Sequence, residues 1–242
     1  QLYTQRHWDG DVHYLRGPAE VADLGNGSAG GETGFRNNVR AVRISPFTLR
    51  LNVNVIRTEG GDFPGDWTAQ NMGTRVEAIV AMINQFFAAQ RALLRLDVAR
   101  IVTRTSNAKF NLSLTDQFRF PAEWRLPHEV DVMIINQFEK DGVLGVAKFP
   151  HFGRTVMAAA GYVSSSGAEV AMTNDDMAEV LAHELGHYLG LQHNTANGSA
   201  NNLMQASTSL AGLSDRTLSA AQIEEMQQKL ARATARGGDR HG

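Results

Sequence analysis

Three histidines and a glutamate stand at offsets that suit one metal ion: His183, Glu184, His187 and His193, in the stretch AHELGHYLGLQH. Four residues of helix turn through ~400°, so the rings of His183 and His187 fall within ~40° of each other and ~6 Å apart along the axis. That spacing suits two ligands of one tetrahedral zinc. Glu184 is rotated by ~100° from His183, close enough to reach a water on the metal without ligating it. A straight helix would carry His193 away from the pair, and Gly190 provides the break. A helix that ends on a left-handed glycine turns its chain off the axis, which brings His193 back to the same ion. Three neutral imidazoles leave a fourth position open to water, the arrangement of a catalytic zinc rather than a closed structural one. A helix with incidental histidines on its polar face would have to match five positions together with a helix start and stop.

The elements that position this stretch follow from hydrophobic periodicity. Met177, Val180, Leu181, Leu185 and Leu189 form one helical face, and Asn174 or Asp175 suits the N-cap. Residues 48–57 alternate Leu49, Leu51, Val53 and Val55 and predict a half-buried strand. After a Gly- and Pro-bearing loop, Val76, Ile79, Val80, Ile83, Phe87 and Leu94 keep helical spacing, with Thr74 and Glu77 suited to a capping box. Further strands are predicted at residues 98–103, 110–114, 130–136, 143–149, 155–163 and 169–173. A last helix opens at Ser219, with Gln222 placed for a capping box and Ile223, Met226 and Leu230 on one face. Helices and strands without regular alternation predict an α+β fold.

The 242 residues are 43% hydrophobic and 20% charged, enough for a self-sufficient core. No apolar run approaches the ~18 residues of a membrane span. A formal net charge of −2, with interspersed signs, gives no field for nucleic acid. The absence of cysteine excludes disulfides, thiolate zinc ligation and a cysteine nucleophile. Residues 1–45, with Tyr3, Trp8, Tyr14 and a glycine-rich stretch at 25–31, are expected to be an N-terminal extension, a candidate regulatory or pro-like segment. The catalytic domain is expected over 46–235 and a disordered tail over 236–242. A chain that starts at Gln1 reads as a processed or trimmed form and is expected to be secreted or exported, while the lack of cysteine fits export and a bacterial cytoplasm equally. Oligomeric state is not legible.

HELGHYLGLQH resembles the long zinc-binding signature of the metzincin clan of metallopeptidases. Asn202, Leu203 and Met204 follow where those enzymes carry a methionine turn. The resemblance implies a zincin-like (metzincin) fold: a twisted mixed sheet with an active-site helix, a methionine turn and a C-terminal helix. It implies a zinc-dependent endopeptidase with one catalytic Zn2+ on His183, His187 and His193, acting on protein or peptide substrates. Glu184 would be general base and then acid, and Met204 an apolar floor. Residues 142–150 resemble the edge strand of the cleft in matrixins and pappalysin-like enzymes, which makes Gly145, Val146 and Ala147 candidate cleft residues; residues 155–163 compete for that place. Residues 205–210 would wall the pocket for the residue that follows the cut. The chain departs from these families too. It has no cysteine switch, no tyrosine just after Met204, and too little chain between Phe138 and Gly142 for the matrixin structural-zinc loop. A zinc-bound but catalytically silent binding module, a non-peptide zinc hydrolase and a zymogen held latent by its N-terminal segment are the alternatives.

Weaker signals have plainer explanations. Phe63, Pro64, Gly65 and Asp66 echo a latency segment of astacin pro-regions, but a Pro-Gly turn accounts for them. His128 and His151 lie beside prolines and read as surface residues rather than second-metal ligands. Asp175 and Asp176 suit the dipole of a helix N-terminus better than calcium.

Overall fold

The computed structural model describes residues 2–3, 12–13, 41–42, 46–113, 115, 119–127, 129–140, 142–147, 155–194, 201–206 and 210–238. Most of the expected extension, His128 and His151 lie outside them. The chain divides into two units, residues 47–226 and residues 1–46 with 227–242. In the smaller unit β1 (Leu2–Tyr3) pairs antiparallel with β2 (Val12–His13) and with β3 (Ala41–Val42).

The larger unit is built on a five-stranded sheet. Its strands are β4 (Phe47–Arg57), β5 (Leu94–Thr105), β7 (Val130–Ile135), β9 (Gly145–Ala147) and β10 (Thr155–Ala159), in the order β5-β4-β7-β10-β9. All neighbours run parallel except β9, which lies antiparallel to β10 at the edge. Parallel strands need crossovers, and α1 (Met72–Ala89) is the one between β4 and β5. With α3 (Asn174–Tyr188) it covers one face of the sheet, where Leu51, Val53, Val132 and Ile134 meet Ile79, Ile83 and Leu181. On the opposite face Ile56, Met133, Ile135 and Met157 pack against Phe120, Trp124 and Phe138. This is the zincin-like α+β architecture.

Several sequence expectations change in register. β4 alternates as expected only over its first four residues; from Leu51 to Ile56 it is buried on both faces, and Asn52 and Asn54 are fully inaccessible. Their amides are satisfied internally, since Asn52 Nδ2 donates to Asp131 Oδ1 (2.7 Å) and the Trp124 carbonyl (2.8 Å), and Asn54 Nδ2 donates to the Asn52 carbonyl. Helix α1 begins at Asn71 without the Thr74–Glu77 box, because the Thr74 hydroxyl donates to the Asn71 carbonyl instead. It ends at Ala89, and the left-handed residues Arg91 and Leu93 turn the chain so that Leu94 opens β5 rather than closing the helix.

Residues 107–110 form a short helix, α2 (Asn107–Phe110), before the two-residue strand β6 (Asn111–Leu112), which pairs with β8 (Gln137–Phe138). The segment 155–163 breaks at Ala160, so β10 stays inside the sheet while β11 (Gly161–Val163) pairs with β12 (Glu169–Ala171). The capping box at Ser219 and Gln222 forms as expected and starts α4 (Ala220–Gly238). That helix runs through 236–238, where a disordered tail was expected; residues 239–242 lie outside the described set. Among the described residues no helix is long and apolar enough to cross a membrane.

Helix α3 is capped by Thr173, not by Asn174 or Asp175. The Thr173 hydroxyl accepts from the Asp176 N–H, and Asp176 Oδ2 accepts from the Thr173 N–H at 2.9 Å. Thr173→Ala removes one half of this box and is expected to cost about 0.5–2 kcal/mol. Urea unfolding measures it, and an unchanged midpoint would contradict the assignment.

Candidate metal centre

Helix α3 carries His183 and His187 one turn apart on one face, as the spacing predicts. The helix then stops where Gly190 takes φ +97°. The Gly190 N–H donates to the His187 carbonyl and the Leu191 N–H reaches back to the Gly186 carbonyl, both at 2.9 Å, which closes the helix end. The reversed chain places the Leu191 carbonyl 2.8 Å from His187 Nδ1 and brings His193 over the two helical rings. His183 Nδ1 lies 2.6 Å from the Leu203 carbonyl. A carbonyl only accepts, so both Nδ1 atoms carry the proton and both Nε2 lone pairs are directed at the centre.

His193 Nε2 is 3.3 Å from His183 Nε2 and 3.0 Å from His187 Nε2. Donors about 2.0–2.1 Å from a tetrahedral zinc stand roughly 3.3 Å apart, so the three nitrogens fit that ion. They can hold one metal ion. Burial, with the neighbouring rings adding to it, holds the His183 imidazole down at about 4 and lowers His187 as well, which keeps both rings neutral, the form that ligates.

Glu184 sits beside this group, buried, its carboxyl pushed by desolvation up to about 8. It lies under the edge strand. A Cβ on Gly145 would come within 2.6 Å of Glu184 Cγ and 2.7 Å of Oε1, so only glycine lets β9 pass this close. Val146 and Ala147 continue the strand and pair with Met157 and Val156. Gly145 therefore lines the cleft directly and β9 is its rim, whereas residues 155–159, which competed for that place, are interior. Met204 is fully buried in the turn after Asn202, where the Asn202 side chain accepts from the Met204 N–H. Its sulfur approaches Gly186 so closely that a Cβ there would lie 2.5 Å away, so Met204 packs beneath the helix turn between the two ligand histidines.

The cleft beside the histidines measures about 280 Å³ and draws wall residues from Gln205, Ala206 and Leu210. Of the expected wall, 207–209 lie outside the described residues. Two residues of its lining were not anticipated: Glu179 and Arg216, both buried and in contact. Glu179 was detectable, because it precedes His183 by four residues and so shares the ligand face of α3. Arg216 carried no such signal.

Asp66 does not approach the histidines; it pairs with Arg75, and Gly65 donates its N–H to Asn136 Oδ1. Asp175 and Asp176 accept from the Leu213 and Thr173 N–H groups, so helix capping and loop anchoring account for them without calcium.

Residues 73–194 match the family model described as Metallo-peptidase family M12B Reprolysin-like. The chain belongs to this family. The match spans just over half the chain and reaches from α1 through His193, so the metzincin-type zinc peptidase is the reprolysin-like kind. The nearer likeness to matrixins and pappalysins is not upheld; it rested on a short edge strand, and sheets of this architecture share such an edge.

Among solved structures, archaemetzincin from Methanopyrus kandleri is 17% identical, with 79% of this chain and 99% of that chain covered and a TM-score of 0.49. A chain in the structure of a chaperone–substrate complex is 15% identical over 78% of this chain, with a TM-score of 0.53. This chain spans only 36% of that one, and the likeness is one of fold. No curated protein matches.

The raised Glu184 carboxyl predicts how stability responds to pH in this reprolysin-like chain once stripped of metal. Between its ordinary value of 4.5 and about 8 the folded state holds a proton that the unfolded chain has released. That contribution is complete below 4.5 and is lost as pH rises through 8. The opposite-signed effect of His183 lies lower, between about 4 and 6.5. In chelator-treated protein, Glu184→Gln should therefore gain stability relative to wild type as pH rises from 5 to 8. A pH-independent difference in urea midpoints would refute the burial argument.

Proposed function

We propose that the chain is a zinc-dependent endopeptidase that cleaves extended protein segments. The observation that carries this is the convergence of three imidazole Nε2 atoms beside a buried carboxylate, under an edge strand that among the described residues pairs on one side only. His183, His187 and His193 would hold the ion. Bound there, zinc supplies a Lewis acid for the scissile carbonyl and lowers the pKa of a water toward ~7.

The chain's own residues do the rest. The backbone of β9 lends its unpaired edge to an extended substrate by strand addition, which selects unfolded or loop segments and orients the peptide along the cleft. A cation held by the histidines would favour the ionised form of Glu184, whose carboxylate would then accept a proton from the attacking water and return it to the departing amine. Leu203 and Leu191, through their carbonyls, keep the two helical imidazoles in the ligating tautomer. Met204 supports the helix turn from below by packing and does not ligate. The residue after the cut places its side chain in the cleft walled by Gln205, Ala206 and Leu210.

An intact carboxylate beside a three-ligand site favours catalysis over a silent binding module, since structural zinc is closed by four protein ligands. Cleavage of a degenerate peptide library by zinc-loaded protein is the test. Glu184→Ala should lower cleavage by about 10²–10⁴-fold while the zinc content stays at one per chain. Cleavage that survives the substitution removes Glu184 from its role, and a zinc-loaded wild type that cleaves nothing sinks the peptidase reading.

Gly145→Ala supplies a second check on the same geometry. The added methyl meets Glu184 and Val180 first, so cleavage should fall at least tenfold at unchanged zinc content. Full activity in this variant would mean that the close approach of β9 is not needed.

A further inference from the structure

The peptide unit between Leu203 and Met204 is gripped at both ends. Its carbonyl oxygen lies 2.6 Å from His183 Nδ1, and its N–H donates to Asn202 Oδ1 at 2.9 Å. The unit is planar, so fixing the direction of the N–H fixes that of the carbonyl. The Asn202 side chain is held in turn by α4. Gln222 Nε2 donates to Asn202 Oδ1 at 3.1 Å, and Gln222 Oε1 accepts from Asn202 Nδ2 at 2.8 Å. Asn202 Oδ1 thus has two donors, Gln222 Nε2 and the Met204 N–H. Gln222 Oε1 also has two, because the Ser219 N–H reaches it at 2.8 Å. The two backbone donors settle which way both amides point, since a flipped amide would set its own NH2 against an N–H.

The surroundings of this chain of bonds are anchored. The Leu218 N–H donates to Gln90 Oε1 at 3.1 Å, and the Thr217 carbonyl accepts from the Leu203 N–H at 2.8 Å. Asn202 is buried, so an amide group left unpaired there is costly. Gln222 does two things with one side chain: its oxygen completes the Ser219 capping box, and its whole amide holds Asn202.

We infer that Gln222 is a positioning residue of the metal centre. On the reading of the three histidines as zinc ligands, it acts through Asn202 and the Leu203–Met204 peptide to aim the Leu203 carbonyl at His183. That keeps Nδ1 protonated and leaves Nε2 for the ion. Partners that orient a ligating histidine contribute about 10–100-fold to metal affinity. Helix capping alone has a different signature. Gln222→Glu retains an oxygen for the Ser219 N–H but sets its second oxygen against Asn202 Oδ1. Asn202→Asp retains an oxygen for the Met204 N–H and sets its second against Gln222 Oε1. Ser219→Ala is the converse: it loses the hydroxyl that accepts from the Gln222 N–H at 3.2 Å and leaves both amides in place.

Zinc affinity of the full-length protein is measured at pH 8 by competition with a chelator. NMR of the ring nitrogens in metal-free protein reports which nitrogen of His183 carries the proton. Gln222→Glu and Asn202→Asp should each weaken zinc binding at least tenfold and move His183 from the Nδ1–H form to a mixture of tautomers; either variant suffices where the other does not fold. Ser219→Ala should lower the urea midpoint, with zinc affinity within threefold of wild type and the tautomer unchanged. Ala221→Glu adds the same charge at an exposed neighbouring position and should match wild type in both readouts. A wild type that binds no zinc, but whose His183 tautomer still responds to Gln222→Glu, upholds the positioning role and sinks the zinc reading. A folded amide variant that keeps the wild-type tautomer overturns the role, as does one that keeps the affinity of a zinc-binding wild type. Equal losses in Ser219→Ala or Ala221→Glu overturn it too.

Discussion

The end of helix α3 is the constraint on which the site depends. At Gly190 the backbone takes a conformation that L side chains rarely adopt, and the Leu191 N–H bonds back to the Gly186 carbonyl. That single reversal does two things. It lays the Leu191 carbonyl against His187 Nδ1, which fixes the tautomer, and it returns His193 to within 3.0–3.3 Å of the other two Nε2 atoms. Without the reversal the helix would continue and the third ligand would be lost. The second carbonyl clamp, from Leu203 to His183, arrives on the Asn202–Gln205 turn, and the same turn seats Met204 against Gly186. Helix end and turn are thus joined, since the Asn194 N–H donates to the Met204 carbonyl at 2.7 Å.

Two glycines make close approach the governing feature of the remaining walls. Gly186 lets the methionine sulfur under the helix, and Gly145 lets the edge strand over the glutamate. The consequence is a buried Glu184 with Gly145 packed against its side chain, beneath a strand that among the described residues pairs on one side only. Packing of this kind narrows the positions open to the carboxyl, and the proton transfer proposed for it depends on such a fixed position. Helix α3 supplies both His183 and His187 and, one turn earlier, Glu179, whose carboxylate anchors the loop at Ala211 and Gly212.

Local patterns in the sequence carried the site well and its surroundings less well. The offsets among His183, His187, Gly190 and His193 encode one helix and one reversal, so they could be read without knowing the fold. Ser219 and Gln222 likewise announce their capping box over three residues. Where tertiary partners decide, the reading failed. Asn52 and Asn54 look like a solvent face because the groups that satisfy them, Asp131 and Trp124 for Asn52 and Arg104 for Asn54, are distant in sequence. Thr74 offers a cap, but the chain starts the helix three residues earlier, where Thr68 and Asn71 exchange side-chain bonds with each other's N–H groups. Leu94 kept helical phase although two left-handed residues had already ended the helix. Arg216 reaches the cleft only through a loop whose course no periodicity describes.

The chain reversal at Gly190 brings three imidazoles together so that they can ligate one ion. X-ray absorption spectroscopy of protein loaded with one equivalent of zinc measures this directly. Three imidazole nitrogens and one oxygen at about 2.0–2.1 Å are expected, falling to two imidazoles in His193→Ala. A first shell with fewer than three imidazoles in wild type, or one that His193→Ala leaves unchanged, would contradict it.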